Sequence, residues 1–276
     1  MMSSFLKDQL NILKEKNFLY PEMELRVLLN KSSISNKEII FSNFQINQID
    51  IDVFQKAFHR RINKEPVSKI FNEKNFWKYN FFVNQHVLDP RPETELIIEK
   101  VIKYFPKKNQ KLKILDIGSG SGCLAISLAK EYCNAKIVAT DISIKALEVA
   151  HINAEKYNCI NQIEFINCNL AGELKFYDII ITNPPYLSEL EYKKTDKEIQ
   201  LFEPKIALVG GLDGLKFYRE LSNILPQIMS FNSLVFVEIG CTQADKITQI
   251  FKRNEINYLE IVKDIQQLNR LLVLKK

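Results

Sequence analysis

The chain has 276 residues, of which 46% are hydrophobic and 26% charged, a composition that suits one large α/β domain with a small one beside it. No apolar run is long enough to span a membrane, and the first residues lack the basic and apolar segments of a signal peptide. The net charge of +5 permits an anionic partner without requiring one. Five cysteines without a C-x-x-C pair, and three scattered histidines, predict a reduced cytoplasmic protein with neither disulfides nor a metal site.

Residues 1–74 are predicted to form a small helical domain. Apolar residues recur at helical spacing in the segments 3–14, 21–29 and 48–62. All 8 glycines lie at or after Gly118, so this part of the chain has little use for strained turns. An aromatic run with partial alternation follows, and it predicts a β-hairpin linker over residues 75–90.

Residues 91–276 are predicted to form an α/β domain with seven strands. The expected strands are residues 112–118, 135–141, 163–169, 177–183, 233–240, 258–264 and 270–274. Helical segments separate the first five strands, which favours parallel pairing. The last two strands are joined by a loop too short for a crossover helix, which makes them an antiparallel pair at the sheet edge. This is the architecture of Rossmann-like methyltransferases.

A glycine-rich turn, residues 118–122, connects the first of these strands to a helix. Glycines let the backbone approach a ligand, and a helix N-terminus offers free N–H groups. The pattern fits a nicotinamide dinucleotide, S-adenosylmethionine or a merely tight turn, and its third glycine comes one residue before the place that the dinucleotide fingerprint requires. The next strand ends at Asp141, which could accept two ribose hydroxyls or cap the helix that starts near Ser143. The glycine turn upstream favours the ligand role.

The most informative motif is Asn183-Pro184-Pro185-Tyr186, which directly follows a buried, Ile-rich strand. Ligands of open α/β sheets bind beyond the carboxyl ends of the strands. The two prolines remove backbone donors and stiffen the backbone there. The Asn183 oxygen and the Pro184 carbonyl can accept the two N–H groups of a planar NH2 group, while the Tyr186 ring stacks on its plane. The motif therefore predicts a site for an amide or an exocyclic base amine.

Taken together, the motifs resemble those of the HemK/PrmC family, the release-factor glutamine N5-methyltransferases, over nearly the whole chain. The stretches Pro90–Glu95 and Phe202–Pro204 are the more specific ones, whereas the glycine turn and the tetrapeptide occur in many amino-group methyltransferases. The residues that carry the resemblance are Glu65-Pro66, Phe76-Trp77, Pro90-Arg91-Pro92-Glu93-Thr94-Glu95, Leu115-Asp116-Ile117-Gly118-Ser119-Gly120-Ser121-Gly122, Asp141, Asn183-Pro184-Pro185-Tyr186, Phe202-Glu203-Pro204 and Glu238-Ile239-Gly240.

The resemblance implies an enzyme of translation termination. It would transfer a methyl group from S-adenosylmethionine, leaving S-adenosylhomocysteine, to the glutamine of the Gly-Gly-Gln motif in class 1 peptide chain release factors. The helical N-terminal domain would recognise that substrate. The implied catalytic residues are Asn183, Pro184 and Tyr186, which bind the glutamine amide together with Pro185. The implied cofactor-binding residues are Gly118, Ser119, Gly120, Ser121, Gly122, Asp141, Ile142, Asn169, Leu170 and Asn183.

The chain departs from the family pattern at two places. Asn169-Leu170 stands where the family usually has Asp-Trp, so the acceptor for the adenine amine is neutral and its hydrogen bond contributes about 1 kcal/mol instead of about 1.5–3 kcal/mol. We therefore expect weaker cofactor binding. Asn72 replaces a usual glycine, and asparagine tolerates the left-handed conformation that such a turn needs.

Two other functions share parts of this pattern. A nucleic-acid adenine-N6 or cytosine-N4 amino-methyltransferase would use the same tetrapeptide on a flipped base. Such enzymes usually carry a large target-reading region and a more basic surface, whereas residues 187–224 are short and contain several acids. A non-catalytic cofactor-binding module would not need the intact tetrapeptide. We expect no direct nucleic-acid binding, no membrane association and a monomeric protein.

Overall fold

The computed structural model describes residues 3–35, 37–172 and 175–276. The chain divides into two compact units, residues 1–72 and residues 73–276. In the described ranges, no helix has both the length and the apolar character that a membrane span requires. All five cysteines lie within these ranges and are free thiols.

The first unit is helical, and it contains α1 (Ser4–Glu15), α2 (Pro21–Lys31), α3 (Ile51–Ile62) and α4 (Val67–Phe71). Leucines of α1 and α2 pack with aromatic residues of α3 in one buried core. The third helix begins at Ile51, later than predicted, because the Asp50 side chain caps it by accepting the N–H groups of Asp52 and Val53 at 3.1 Å.

The short helix α4 was not predicted, because five residues after a proline carry too little periodicity to recognise. It ends at Asn72, whose φ of 54° and ψ of 36° lie in the left-handed region. The expectation that asparagine would replace the usual glycine at this turn is therefore confirmed.

The second unit starts with the hairpin of β1 (Glu73–Phe76) and β2 (Tyr79–Phe82), which are antiparallel. Trp77 occupies the two-residue turn with a φ of 55°. The strands stop at Phe82, where the Phe82 N–H donates to the Asn153 side chain at 2.7 Å. Phe76 and Phe81 are buried in the core of the second unit, so the hairpin is packed as part of that unit.

The large sheet has seven strands in the order β5-β4-β3-β6-β7-β9-β8. The first five of these are parallel, and β9 is antiparallel to both β7 and β8. The prediction of a seven-stranded, Rossmann-like sheet with a terminal hairpin is thereby confirmed. The strands are β3 (Lys113–Ile117), β4 (Lys136–Asp141), β5 (Ile163–Asn167), β6 (Tyr177–Thr182), β7 (Met229–Glu238), β8 (Asn257–Lys263) and β9 (Asn269–Lys275).

Helices of the second unit form two cores with this sheet. Side chains of a strand alternate between its faces, so Ile179 and Ile181 of β6 belong to one core and Ile180 to the other. The first core contains residues of α5 and α6, and the second contains residues of α10 and α11. The helices are α5 (Glu95–Tyr104), α6 (Cys123–Glu131), α7 (Ile144–Lys156), α8 (Glu189–Tyr192), α9 (Lys197–Phe202), α10 (Lys216–Ile228) and α11 (Ala244–Lys252).

The strand order reverses between β3 and β6, the neighbours at the centre of the sheet. Ile117 of β3 is paired with Thr182 of β6, and the Thr182 hydroxyl donates to the Ile117 carbonyl at 2.8 Å. The glycine turn and the Asn-Pro-Pro-Tyr tetrapeptide therefore leave the sheet side by side. A reversal of this kind is where open α/β sheets bind ligands.

Glu131 at the end of α6 holds the tip of the β1–β2 hairpin. Its carboxylate accepts from Trp77 Nε1 at 3.0 Å, from Lys78 Nζ at 2.5 Å and from Lys108 Nζ at 3.0 Å. Burial by itself raises the pKa of this carboxyl, but the donors Lys78, Trp77 and Lys108 outweigh it and lower the pKa to about 2. The ionised carboxylate therefore stabilises the fold above its unfolded pKa of about 4.5, and this contribution is lost as the pH falls towards about 2.

We expect Glu131→Gln to lower the free energy of unfolding by about 1–2 kcal/mol near neutral pH, with a smaller loss as the pH falls below about 4. Urea unfolding followed by the fluorescence of Trp77, the single tryptophan, measures both values. Glu148→Gln changes an exposed carboxylate of α7 and serves as the control. A loss that is equal at both pH values, or equal in the control, contradicts the assignment.

Candidate active site

A cavity of about 300 Å³ lies at the carboxyl ends of β3, β4 and β6. The glycine turn, the end of β4, the loop after β5 and the start of α10 contribute to its wall. Of the ten residues predicted to bind a cofactor, all but Gly122 line it: Gly118, Ser119, Gly120, Ser121, Asp141, Ile142, Asn169, Leu170 and Asn183.

Two glycines leave the turn open to this cavity. Gly118 and Gly120 have φ angles of +72° and +57°, and a Cβ added at either would meet nothing within 4 Å. The Gly118 and Ser119 N–H groups donate to the Thr140 carbonyl at 2.8 and 2.9 Å, which anchors the turn on β4. A ligand can therefore approach the backbone closely here.

Gly122, unlike Gly118 and Gly120, is closely surrounded by other residues. A Cβ at this position would meet Ile126 Cδ1 at 2.9 Å and Ala150 Cβ at 3.1 Å, and its φ is +78°. The structure therefore places Gly122 behind the cavity wall, where it lets α6 start and pack closely against α7.

Asp116, for which no separate role was predicted, supports the glycine turn. Its Oδ2 accepts the Ser119 hydroxyl at 2.7 Å and the Ala125 N–H at 3.2 Å. Because the N-cap residue of α6 is Gly122, which has no side chain, Asp116 supplies the missing capping acceptor. Complete burial raises the pKa of Asp116 to about 7, although both donors oppose the rise.

Asp141 lies at the carboxyl end of β4 and faces the cavity. Its Oδ2 accepts the Gly120 N–H and its Oδ1 accepts the Ser143 N–H, both at 2.9 Å. The N-cap of α7 is Ser143, whose hydroxyl accepts the Ala146 N–H at 3.2 Å. The alternative that Asp141 caps this helix is therefore wrong, and lone pairs of its carboxylate remain for hydroxyl donors.

The loop after β5 brings Asn169 and Leu170 to the same cavity. Asn169 is exposed, whereas Leu170 is half-buried with a φ of 58°, a conformation that costs a non-glycine residue free energy. The Thr140 hydroxyl donates to the Leu170 carbonyl and holds the loop in this conformation. The backbone next to Asn169 is therefore held in place at this cavity.

Asn183 lies between this cavity and a second one of about 280 Å³, because it lines both. Pro184 and Tyr186 line only the second. Burial raises the pKa of Tyr186 to about 12, so its ring remains neutral. The charged residues around the second cavity are Arg91, Glu93, Glu238 and Arg270.

A chain of hydrogen bonds holds the Asn183 side chain. Its Nδ2 donates to Thr94 Oγ1 at 2.8 Å, and Thr94 Oγ1 donates to Glu238 Oε2 at 2.6 Å. Burial raises the pKa of Glu238 to about 7, with the Thr94 hydroxyl opposing the rise. Sequence reasoning gave Thr94 and Glu238 no role, although both stand in stretches that carried the family resemblance.

The two stretches that are most specific to the family, Pro90–Glu95 and Phe202–Pro204, are joined by Glu203. Its Oε1 accepts from Arg91 Nη2 at 2.9 Å and its Oε2 accepts from the Asp89 N–H at 3.2 Å. This carboxylate is buried, so the segment that follows the tetrapeptide is fastened to the segment that precedes α5. Their joint occurrence in the sequence thus has a structural cause.

Known proteins with similar sequences are methyltransferases. The model of the Methyltransferase small domain family matches residues 92–202. A release factor glutamine methyltransferase from Caulobacter vibrioides is 31% identical, over 95% of this chain and 91% of that protein. The chain belongs to the release factor glutamine methyltransferase family.

Two further comparisons concern longer relatives and the fold. A bifunctional methyltransferase from Rickettsia typhi is 37% identical over 91% of the chain, which spans 53% of that relative. The chain thus covers about half the length of such relatives. The crystal structure of a methyltransferase from Pyrococcus furiosus shares the fold, with a TM-score of 0.53 and 15% identity over 79% of this chain and 96% of the other.

The raised pKa of Asp116 makes the stability of the folded protein depend on pH. An acid whose pKa is raised in the fold contributes stability below its unfolded pKa of about 3.8, and that contribution is lost as the pH rises through about 7. We therefore expect Asp116→Asn to become more stable relative to the wild type between about pH 5 and about pH 8. Urea unfolding at both pH values measures the difference.

The exposed Asp8→Asn variant of α1 serves as the control for this comparison. Its unfolding free energy should follow the wild type across the same pH range. Parallel profiles for wild type and Asp116→Asn would show that Asp116 does not titrate as assigned.

Proposed function

We propose that this methyltransferase transfers a methyl group from S-adenosylmethionine to the side-chain amide nitrogen, N5, of the glutamine in the Gly-Gly-Gln motif of class 1 release factors. The observation that carries the proposal is the place of Asn183 between two cavities, with its NH2 group bound to Thr94. The names of relatives such as the Caulobacter vibrioides protein support the same substrate.

The first cavity fits the cofactor. Gly118 and Gly120 offer an open backbone, and Asp141 offers a carboxylate to paired ribose hydroxyls. Asn169 and Leu170 provide an acceptor for an adenine amine and an apolar surface for its ring. A volume of about 300 Å³ is in the range of small-molecule sites. S-adenosylmethionine, when bound, supplies a methyl group on a positively charged sulfur.

The second cavity supplies acceptors for the amide that receives the methyl group. An amide nitrogen is a poor nucleophile, and positive charge grows on it as its new bond forms. Two acceptors, the Asn183 oxygen and the Pro184 carbonyl, stabilise that charge more than they stabilise the neutral amide. The Tyr186 ring, neutral at all ordinary pH values, covers the amide plane. The nitrogen would gain the methyl group as the bond between that group and the cofactor sulfur breaks, and would then lose one proton to solvent. The residues thus act by position and electrostatics and require no general base.

Replacing Asn183 separates cofactor binding from turnover. We expect Asn183→Ala to lower kcat by about 10²–10³-fold, because it removes an acceptor that acts mainly in the transition state. Cofactor affinity should change little, since the glycine turn and Asp141 are untouched. Isothermal calorimetry with S-adenosylmethionine, together with transfer of a labelled methyl group to a release factor, measures both. Equal losses of affinity and turnover contradict the role of Asn183.

Mass spectrometry of the Gly-Gly-Gln peptide decides the substrate. After incubation of a class 1 release factor with the protein and labelled cofactor, we expect one added methyl group on the glutamine. Duplex and single-stranded DNA, given in parallel, should gain no label. Label on adenine or cytosine instead would establish the nucleic-acid function, and cofactor binding without transfer to either would establish a non-catalytic module.

The neutral acceptor at position 169 can be tested by a substitution that should strengthen cofactor binding. We expect Asn169→Asp to lower the Kd for S-adenosylmethionine about fivefold, because a carboxylate strengthens the hydrogen bond to the adenine amine by about 1 kcal/mol at this exposed site. Asn161→Asp adds the same charge outside the cavity and should leave the Kd unchanged. An equal gain in both variants would indicate a general charge effect and overturn the assignment.

A further inference from the structure

The hydrogen-bond chain of Asn183, Thr94 and Glu238 joins three distant parts of the sequence. Thr94 precedes α5, Asn183 follows β6 and Glu238 ends β7. Thr94 is 2% exposed and Glu238 is 3% exposed, so both side chains are almost completely buried, and Thr94 lies in the wall of the first cavity and Glu238 in the wall of the second. Asn183 lines both cavities.

The direction of these hydrogen bonds follows from chemistry. An ionised carboxylate only accepts, so the Thr94 hydroxyl must donate its one proton to Glu238. The Thr94 oxygen is then left to accept, and the group of Asn183 that can donate to it is the NH2. Because the two arms of an amide diverge, the Asn183 oxygen is held on the arm away from Thr94.

We propose that Thr94 and Glu238 are positioning residues that fix the orientation of the Asn183 amide, so that an acceptor and not a donor faces the substrate NH2 group. The inference rests on the proposed function, because the substrate amide is the group that needs this acceptor. A flipped Asn183 would present its own NH2 to the substrate NH2, and two donors repel. Orientation of this one side chain therefore separates a productive site from an unproductive one.

Protonation of Glu238 removes the constraint. A neutral carboxyl can donate to Thr94, which frees the Thr94 hydroxyl to donate to the Asn183 oxygen, so the whole chain can reverse. The pKa of Glu238, raised by burial to about 7, brings this reversal close to neutral pH. Glu238 interacts electrostatically with the following charged and titratable groups: Glu93, Arg91, Arg270, Tyr186, Tyr218 and Cys123.

Two substitutions of Thr94 test the orientation. Thr94→Val keeps the shape but removes the hydroxyl, and we expect kcat to fall about 100-fold, the cost of a misplaced reacting geometry. The KM for the release factor and the Kd for the cofactor should change much less. Thr94→Ser restores the hydroxyl and should restore most of kcat. Equal losses in both variants, or a loss confined to KM, would overturn the proposal.

Glu238→Gln tests the direction of the hydrogen bonds from Asn183 through Thr94 to Glu238, because a carboxamide both donates and accepts. In the wild type we expect kcat to rise with pH through about 7 as Glu238 ionises. In Glu238→Gln we expect a lower kcat without this rise, whereas Asp116→Asn should retain it. A rise that persists in Glu238→Gln, or that disappears in Asp116→Asn, would contradict the role of Glu238.

A readout without substrate keeps this inference separate from the proposed function. In protein carrying ¹⁵N-asparagine, the side-chain NH2 signal of Asn183, identified by its absence in Asn183→Ala, should be protected from exchange in the wild type and in Thr94→Ser. It should exchange freely in Thr94→Val. A wild type that does not methylate a release factor would refute the proposed function, and an unprotected Asn183 signal would refute the hydrogen-bond chain.

Discussion

The parallel pairing of β3 with β6 determines where the residues of the candidate site lie. Ile117 and Thr182 are opposite each other, so the residues that follow them leave the sheet at the same level. One of these segments is the glycine turn, which offers an open backbone, and the other begins with Asn183, which offers an amide. A shift of this register by one residue would turn every buried side chain of β6 to the wrong face and would separate the two segments. The same apolar pairs therefore stabilise the core and set the spacing of the site.

At the ends of two strands, a buried carboxylate accepts a hydrogen bond from the hydroxyl group of a residue outside that strand. Asp116 near the end of β3 receives the Ser119 hydroxyl, and Glu238 at the end of β7 receives the Thr94 hydroxyl. In each case burial raises the pKa to about 7, which is a cost to stability at higher pH. That cost is offset by order at the site, because Asp116 caps α6 under the glycine turn and Glu238 sets the Thr94 hydroxyl beside Asn183.

The sequence predicted the sheet well because each central strand is a short apolar run between turn signals, and such runs can be recognised locally. It also predicted which residues gather at the first cavity, since parallel strands bring their carboxyl ends together. The hydrogen bonds from Asn183 to Thr94 and from Thr94 to Glu238 could not be predicted, because they span 89 and 144 residues of sequence. The packing role of Gly122 was hidden for a related reason, since Ala150 approaches it from another helix.

The tetrapeptide by itself leaves its chemistry undecided, since an asparagine side chain carries a donor and an acceptor of nearly equal size. The prolines fix the backbone at this point, but they do not fix which arm of the Asn183 amide faces the ligand. That choice is made by Thr94, which has one proton to donate, and by Glu238, which as a carboxylate has none. The preference for an NH2 group over a carbonyl group therefore comes from Thr94 and Glu238, which act through Asn183. A site built in this way distinguishes ligands through the direction of its hydrogen bonds as much as through its shape.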